Sequence, residues 1–117
     1  MNKLLAHPAL AIAFWLACAA VATLSLLPVA ELPAITLDLW DKAQHAAGFF
    51  CLGALGWLAY PVRPLRLCVG LLVFGALIEV AQSATGWRTG DVLDWIADAT
   101  GVLFAAMAMR QLTPPTP

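Results

Sequence analysis

Charged residues divide this chain into four apolar stretches, at 8–27, 43–60, 65–83 and 92–111. Each is close to the about 20 residues that a helix needs to cross a hydrocarbon core. At that depth every backbone amide has to be paired within its own segment, so the stretches are expected as helices. Of 117 residues, 62% are hydrophobic and 11% charged, against about a quarter charged in a soluble domain. A water-soluble chain this short cannot bury so much apolar side chain, which makes lipid its expected solvent. The expected fold is an all-α membrane protein: one domain over 1–117, a bundle of four transmembrane helices embedded in a lipid bilayer.

Proline marks the breaks between stretches. Pro28 and Pro33 end the first, Pro61 and Pro64 form a tight second connection, and Pro114, Pro115 and Pro117 fall in the tail. Lys3 ahead of the first stretch resembles the start of a signal peptide, but the run exceeds the usual ~7–15 residues and is expected to be a retained helix. Lys3, Arg63, Arg66 and Arg110 fall on one side of this topology, and Lys42 and Arg88 on the other. The positive-inside rule then puts both termini in the cytoplasm and the protein in the inner membrane as a multi-pass species. Trp40, Trp87 and Trp95 fall near the outer interface, with Trp57 and Tyr60 near the inner one, as aromatic belts do.

Two function classes find no support. The net charge of −1 offers no basic surface for nucleic acid. Cys18, Cys51 and Cys68 are odd in number, lack a CxxC pair and sit in apolar runs, so they read as packing residues. No nucleophile elbow, P-loop, HExxH or dinucleotide-binding pattern occurs.

The informative signal is an asymmetry. Asp41, Lys42 and His45 open the second stretch from its outer side; Glu79 and Gln82 lie near the outer end of the third. Arg88 follows in the loop, and Asp91, Asp94 and Asp98 enter the fourth from the same side. No acidic residue lies toward the cytoplasmic ends. Steps of three and four place each set on one stripe of its helix. With a rise of 1.5 Å per residue, His45 lies about 6 Å below Asp41 and Asp98 about 10 Å below Asp91. Three side chains from three helices, His45, Glu79 and Asp98, are therefore expected at one level beneath the outer interface.

Such groups are expensive in lipid. A carboxylate near a helix centre costs roughly 2.5–3.5 kcal/mol on insertion scales, so these residues face the interior, find partners and mark functional sites. Five carboxylates (Asp41, Glu79, Asp91, Asp94, Asp98) face Lys42, Arg88 and His45. Either some acids are protonated through burial and mutual repulsion, or a cation enters, as a metal or as a ligand amine; the spacing leaves these open. Plainer roles also exist. Asp91 suits an N-cap and Asp94 the positive end of a helix dipole. Lys42 can snorkel, Arg88 can be a solvated loop charge, and Gln82 and His45 can serve only to bond helices together. Glu79 and Asp98 resist such readings best. Gly101 and Ala105, with Gly75 one turn from Glu79, predict close packing of the third and fourth helices beneath the polar residues.

The ordered motifs D-K-A-Q-H (41–45), E-V-A-Q (79–82) and R-T-G-D-V-L-D-W-I-A-D-A-T-G (88–101) resemble the VanZ-like family of bacterial membrane proteins. The likeness covers about residues 38–105. It implies an integral membrane protein of a family named for a member associated with resistance to the glycopeptide teicoplanin, with no activity established at family level. Asp41, Lys42, His45, Glu79, Gln82, Arg88, Asp94 and Gly101 match the family's polar signature. Asp98 departs from it, since asparagine is usual there, and adds an acid to an acidic cluster.

Three functions are compatible with these residues. In the first, an outward polar pocket binds or modifies a lipid, a headgroup or a lipid-linked envelope precursor. His45 then acts as acid or base with Glu79 or Asp98 setting its protonation, Asp41, Lys42, Gln82, Arg88 and Asp94 contact the ligand, and Arg88 grips an anionic headgroup. In the second, the cluster is a packing lock in a non-enzymatic modulator. The third, a small ion- or proton-coupled carrier, lacks a polar path continuing inward. Whether the chain is an enzyme, and which cofactor or metal it uses, stays open; homo-oligomerisation is compatible with so small a bundle.

Overall fold

The computed structural model describes residues 8–28, 38–86 and 91–113, with side chains from 42 onward in the second of these segments. They form four helices: α1 (Pro8–Leu26), α2 (Asp38–Ala59), α3 (Pro64–Thr85) and α4 (Val92–Leu112), with no strand among the described residues. Three of them, α1, α3 and α4, are long and apolar enough to cross a membrane. At 22 residues α2 is equally long, but Lys42, Gln44 and His45 occupy its first half.

Local chemistry sets the ends. Pro8 opens α1, where a missing N–H costs nothing. The last turn of α2 closes with the Tyr60 N–H on Gly56 O at 2.8 Å, and Pro61 then has no N–H with which to continue. Pro64 starts α3, and Gly86 at φ 82° ends it in the left-handed region that glycine enters at little cost. Asp91 caps α4, its Oδ1 accepting the Leu93 N–H at 2.9 Å.

The expected limits hold within a few residues except at α2, which begins at Asp38 and not near 43. The helix continues through Asp41 and Lys42 because a helix terminus tolerates charge that the hydrocarbon layer does not. Hydropathy located the start of the apolar run there, not the helix boundary.

The molecule is apolar outside as well as inside. Leu16, Leu65, Leu77, Val80, Val92 and Leu112 are all exposed, and a thin core of Phe14, Cys18, Phe49, Leu52, Leu71, Ile78 and Val102 runs between the helices. Glu79, Gln82, Asp94 and Asp98 are buried with that core. This inversion is what a lipid solvent permits.

Packing of α2 against α4 dominates and is parallel. Lys42 meets Asp94 and His45 meets Asp98, pairs 52 and 53 positions apart. At the far end the Trp57 indole N–H donates to Thr113 Oγ1 at 3.1 Å. Small residues allow the approach. A Cβ on Gly53 would lie 2.7 Å from Ala105 Cβ, and one on Gly101 would collide with the Ala46 carbonyl and sit 2.9 Å from Phe50 N. Gly101 and Ala105 thus pack on α2, whereas the spacing had pointed to α3; α2 and α3 both flank α4, and residue size alone does not choose between them. Gly75 of α3 does face α4, since a Cβ there would lie 3.1 Å from Asp98 Oδ2. Antiparallel α3 is tied to α4 by the Trp95 indole N–H, which donates to Leu72 O at 2.9 Å. The lower end is held by the Trp15 indole N–H on the Tyr60 hydroxyl at 2.8 Å.

Candidate functional site

The polar residues gather at the end of the bundle where α2 and α4 begin and α3 finishes. Lys42, in the second turn of α2, projects toward the first turn of α4. Its Nζ lies 3.2 Å from Asp94 Oδ1 and 3.5 Å from Asp91 Oδ2. One turn further along α2, His45 stands between two acids of α4. Its Nδ1 is hydrogen-bonded to Asp98 Oδ1 at 2.8 Å, and its Nε2 lies 3.9 Å from Asp94 Oδ2. The i, i+4 step of Asp94 and Asp98 and the parallel register bring this about: the two acids fall on the stripe that α4 turns toward α2.

Glu79 reaches the same place from α3. One ligand-capable atom each from His45, Glu79 and Asp98 falls within 4.8 Å of the others. Glu79 Oε2 accepts the Asp91 N–H at 2.9 Å, so the start of α4 is held by a carboxylate of α3 as well as by its own cap. Glu79 Oε1 is buried without a hydrogen-bond partner in the protein. Gln82, one turn on, donates from Nε2 to the Ser25 carbonyl at 2.8 Å and ties α3 to the end of α1. Its Oε1 is likewise buried without a protein partner.

The surroundings are dry on one side and open on the other. Asp98 is 1% exposed and Glu79 9%. Beneath them Phe49 closes the site, its ring 3.4 Å from where a Cβ on Gly75 would be. Above, a groove of ≈ 320 Å³ between α3 and α4 is lined by Ala76, Glu79, Val80, Ser83, Asp91 and Trp95. Its walls are mostly apolar, and Glu79 and Asp91 are the carboxylates among them. A larger cavity of ≈ 520 Å³ lies at the opposite end, against Phe14, Tyr60, Arg63 and Arg66, away from the acids.

Of the residues singled out by spacing, the structure therefore brings together Lys42, His45, Glu79, Asp94 and Asp98, with Asp91 at the rim. Gln82 points to α1 through its amide nitrogen. Arg88 lies outside the described residues, as does the side chain of Asp41. The Ser25 carbonyl and the Asp91 N–H were not foreseen, and backbone groups carry no sequence signal that would reveal them. Chemically, the arrangement offers an imidazole between carboxylates, able to exchange a proton, and a converging set of one nitrogen and two oxygen donors able to hold a cation. No family model matches the chain, and neither the curated proteins nor the solved structures compared with it yield a match.

Proposed function

We propose that this chain is a VanZ-like protein of the bacterial inner membrane, crossing it four times with both termini in the cytoplasm. Its polar site faces outward and binds or modifies a lipid or another cell-envelope component. The fourth crossing is α2. It lies along α4 from Lys42–Asp94 to Trp57–Thr113, so a bilayer that surrounds α4 surrounds α2 beside it. The family assignment rests on the order of the three motifs, and with it comes the link to glycopeptide resistance.

One observation carries the functional reading. His45, Glu79 and Asp98 come from three helices to one point, and Glu79 Oε1 is buried there without a protein partner. Unsatisfied buried carboxylate is costly, and in lipid such residues ordinarily mark a site. The groove above them suits an amphiphile: Val80 and Trp95 contact the tail while the polar head reaches Glu79 and Asp91. Purified protein in lipid nanodiscs should bind labelled envelope lipids, and His45→Ala should weaken that binding at constant helicity. Absence of binding by the unmodified chain would refute the reading.

The packing-lock reading has its own support in the Lys42–Asp94 and His45–Asp98 pairs, which join α2 to α4. It expects Glu79→Gln and Asp98→Asn to lower thermal stability in detergent, with any envelope phenotype following protein abundance alone.

A further inference from the structure

We propose that His45, Glu79 and Asp98 form the binding site of one divalent transition-metal ion of the zinc or manganese class. The proposal deepens the reading of this cluster as a ligand site and rests on it.

The donor set comes first. One imidazole and two carboxylates, from α2, α3 and α4, each bring an atom within 4.8 Å of the other two. Donors about 2.1 Å from a tetrahedral zinc ion are about 3.4 Å apart. The difference is at most about 1.4 Å, a distance that changes of side-chain rotamer can close. A mixed nitrogen and oxygen set favours zinc, manganese or ferrous iron; calcium and magnesium prefer oxygen alone, and cuprous copper prefers sulfur.

The burial of Glu79 makes the second, independent argument. Glu79 is 9% exposed, and its Oε1 has no protein hydrogen-bond partner. Lys42 Nζ lies against Asp91 and Asp94, so among the described residues the lysine is directed to the rim of the cluster and not to Glu79. An outer partner that orients a donor is also in place: the Asp91 N–H donates to Glu79 Oε2 at 2.9 Å. Such supports commonly accompany metal ligands.

Three protein ligands leave a coordination position open, as in metal sites that take water or substrate. Glu79 also lines the groove between α3 and α4, so the groove adjoins the cluster at this ligand. Its lining includes the carboxylates Glu79 and Asp91, which disfavour an anionic headgroup. A bound dication reverses the sign of the field at that point, so the metal specifies an amphiphile with an anionic head.

The test uses the full chain in nanodiscs, stripped with a chelator and checked for helicity by circular dichroism. Zinc and cobalt are titrated by calorimetry and by visible absorption respectively. The expected result is one equivalent of metal per chain and a raised Tm. Glu79→Gln and Asp98→Asn should each weaken zinc binding at least tenfold, while Cys51→Ser, which removes an exposed thiol outside the cluster, leaves it unchanged. A folded, stripped protein that takes up no zinc, manganese or cobalt overturns the proposal, as does uptake unaffected by either carboxylate change. Lipid binding that persists in chelator without any metal uptake ends the metal site and spares the lipid reading. One equivalent of metal at these residues without lipid binding supports the site and sinks the lipid reading.

Discussion

Replacing Gly101 by alanine should pull the site apart without touching a polar atom. A Cβ at this position collides with the Ala46 carbonyl and lies 2.9 Å from Phe50 N and 3.0 Å from Ala46 C, where ordinary contact begins at 3.4 Å. These are backbone atoms of α2 and cannot rotate away, so α2 must retreat from α4 by at least about half an ångström. Overpacking of this kind costs about 1–3 kcal/mol, and the better helix propensity of alanine returns about 1 kcal/mol at most. Because the clashing atoms are rigid backbone the cost falls at the upper end of that range, and the net loss should be about 2 kcal/mol, roughly thirtyfold in the folding equilibrium. The His45–Asp98 hydrogen bond of 2.8 Å spans the same two helices and should weaken with it. Gly48 and Gly70 supply the control, because a Cβ on either meets nothing within 4 Å. Reversible unfolding in mixed micelles, followed by circular dichroism, should show Gly48→Ala and Gly70→Ala at or slightly above the parent stability. A Gly101→Ala protein as stable as these two would refute the α2–α4 contact on which the geometry of the site depends.

Asp91→Ala removes the cap acceptor of the Leu93 N–H and should cost about 1 kcal/mol in the same unfolding assay; the Glu79–Asp91 bond uses the backbone N–H and should survive. Glu79→Gln in metal-free protein should be neutral or stabilising by Tm, since an amide oxygen can accept the same N–H and a buried charge is removed; a marked loss of stability would favour the packing lock. Reporter fusions at either end should show both termini cytoplasmic, with a C-terminal fluorescent protein bright and a C-terminal periplasmic phosphatase inactive; an active phosphatase would reverse the assigned orientation.

The sequence carried some of this structure openly. Proline and charge placed the helix limits to within a few residues, because proline acts locally on backbone hydrogen bonding; the start of α2 escaped them, since the helix runs back through charged residues to Asp38. The stripe spacing of His45, Glu79 and Asp98 predicted a shared level, since three helices of similar length that begin at known edges leave little freedom in depth. Choice of neighbour was less legible. Gly101 fixes a close approach but not its partner, and only the parallel register of α2 and α4 assigns it to Ala46 and Phe50. Backbone acceptors were illegible altogether: nothing in the residue types shows that Gln82 ends on the Ser25 carbonyl or Trp95 on that of Leu72.

That register separates the structural part of the cluster from the rest. Lys42–Asp94 and His45–Asp98 lie 52 and 53 positions apart, and Gly53 packs against Ala105 in the same alignment. A slip of α2 by one turn would break all of these together, so the polar pairs and the small residues specify one alignment twice. Buried polar pairs are well suited to fixing a register, and a lock accounts for Lys42, His45, Asp94 and Asp98 on those grounds. It does not account for Glu79. That residue stands on α3, outside the α2–α4 alignment, and its hydrogen bond from the Asp91 backbone N–H is one that glutamine would accept as well. A buried carboxylate with one oxygen left over, beside a histidine and a second acid, adds cost to a lock and adds a donor to a site. Glu79 is therefore the residue on which the two readings part.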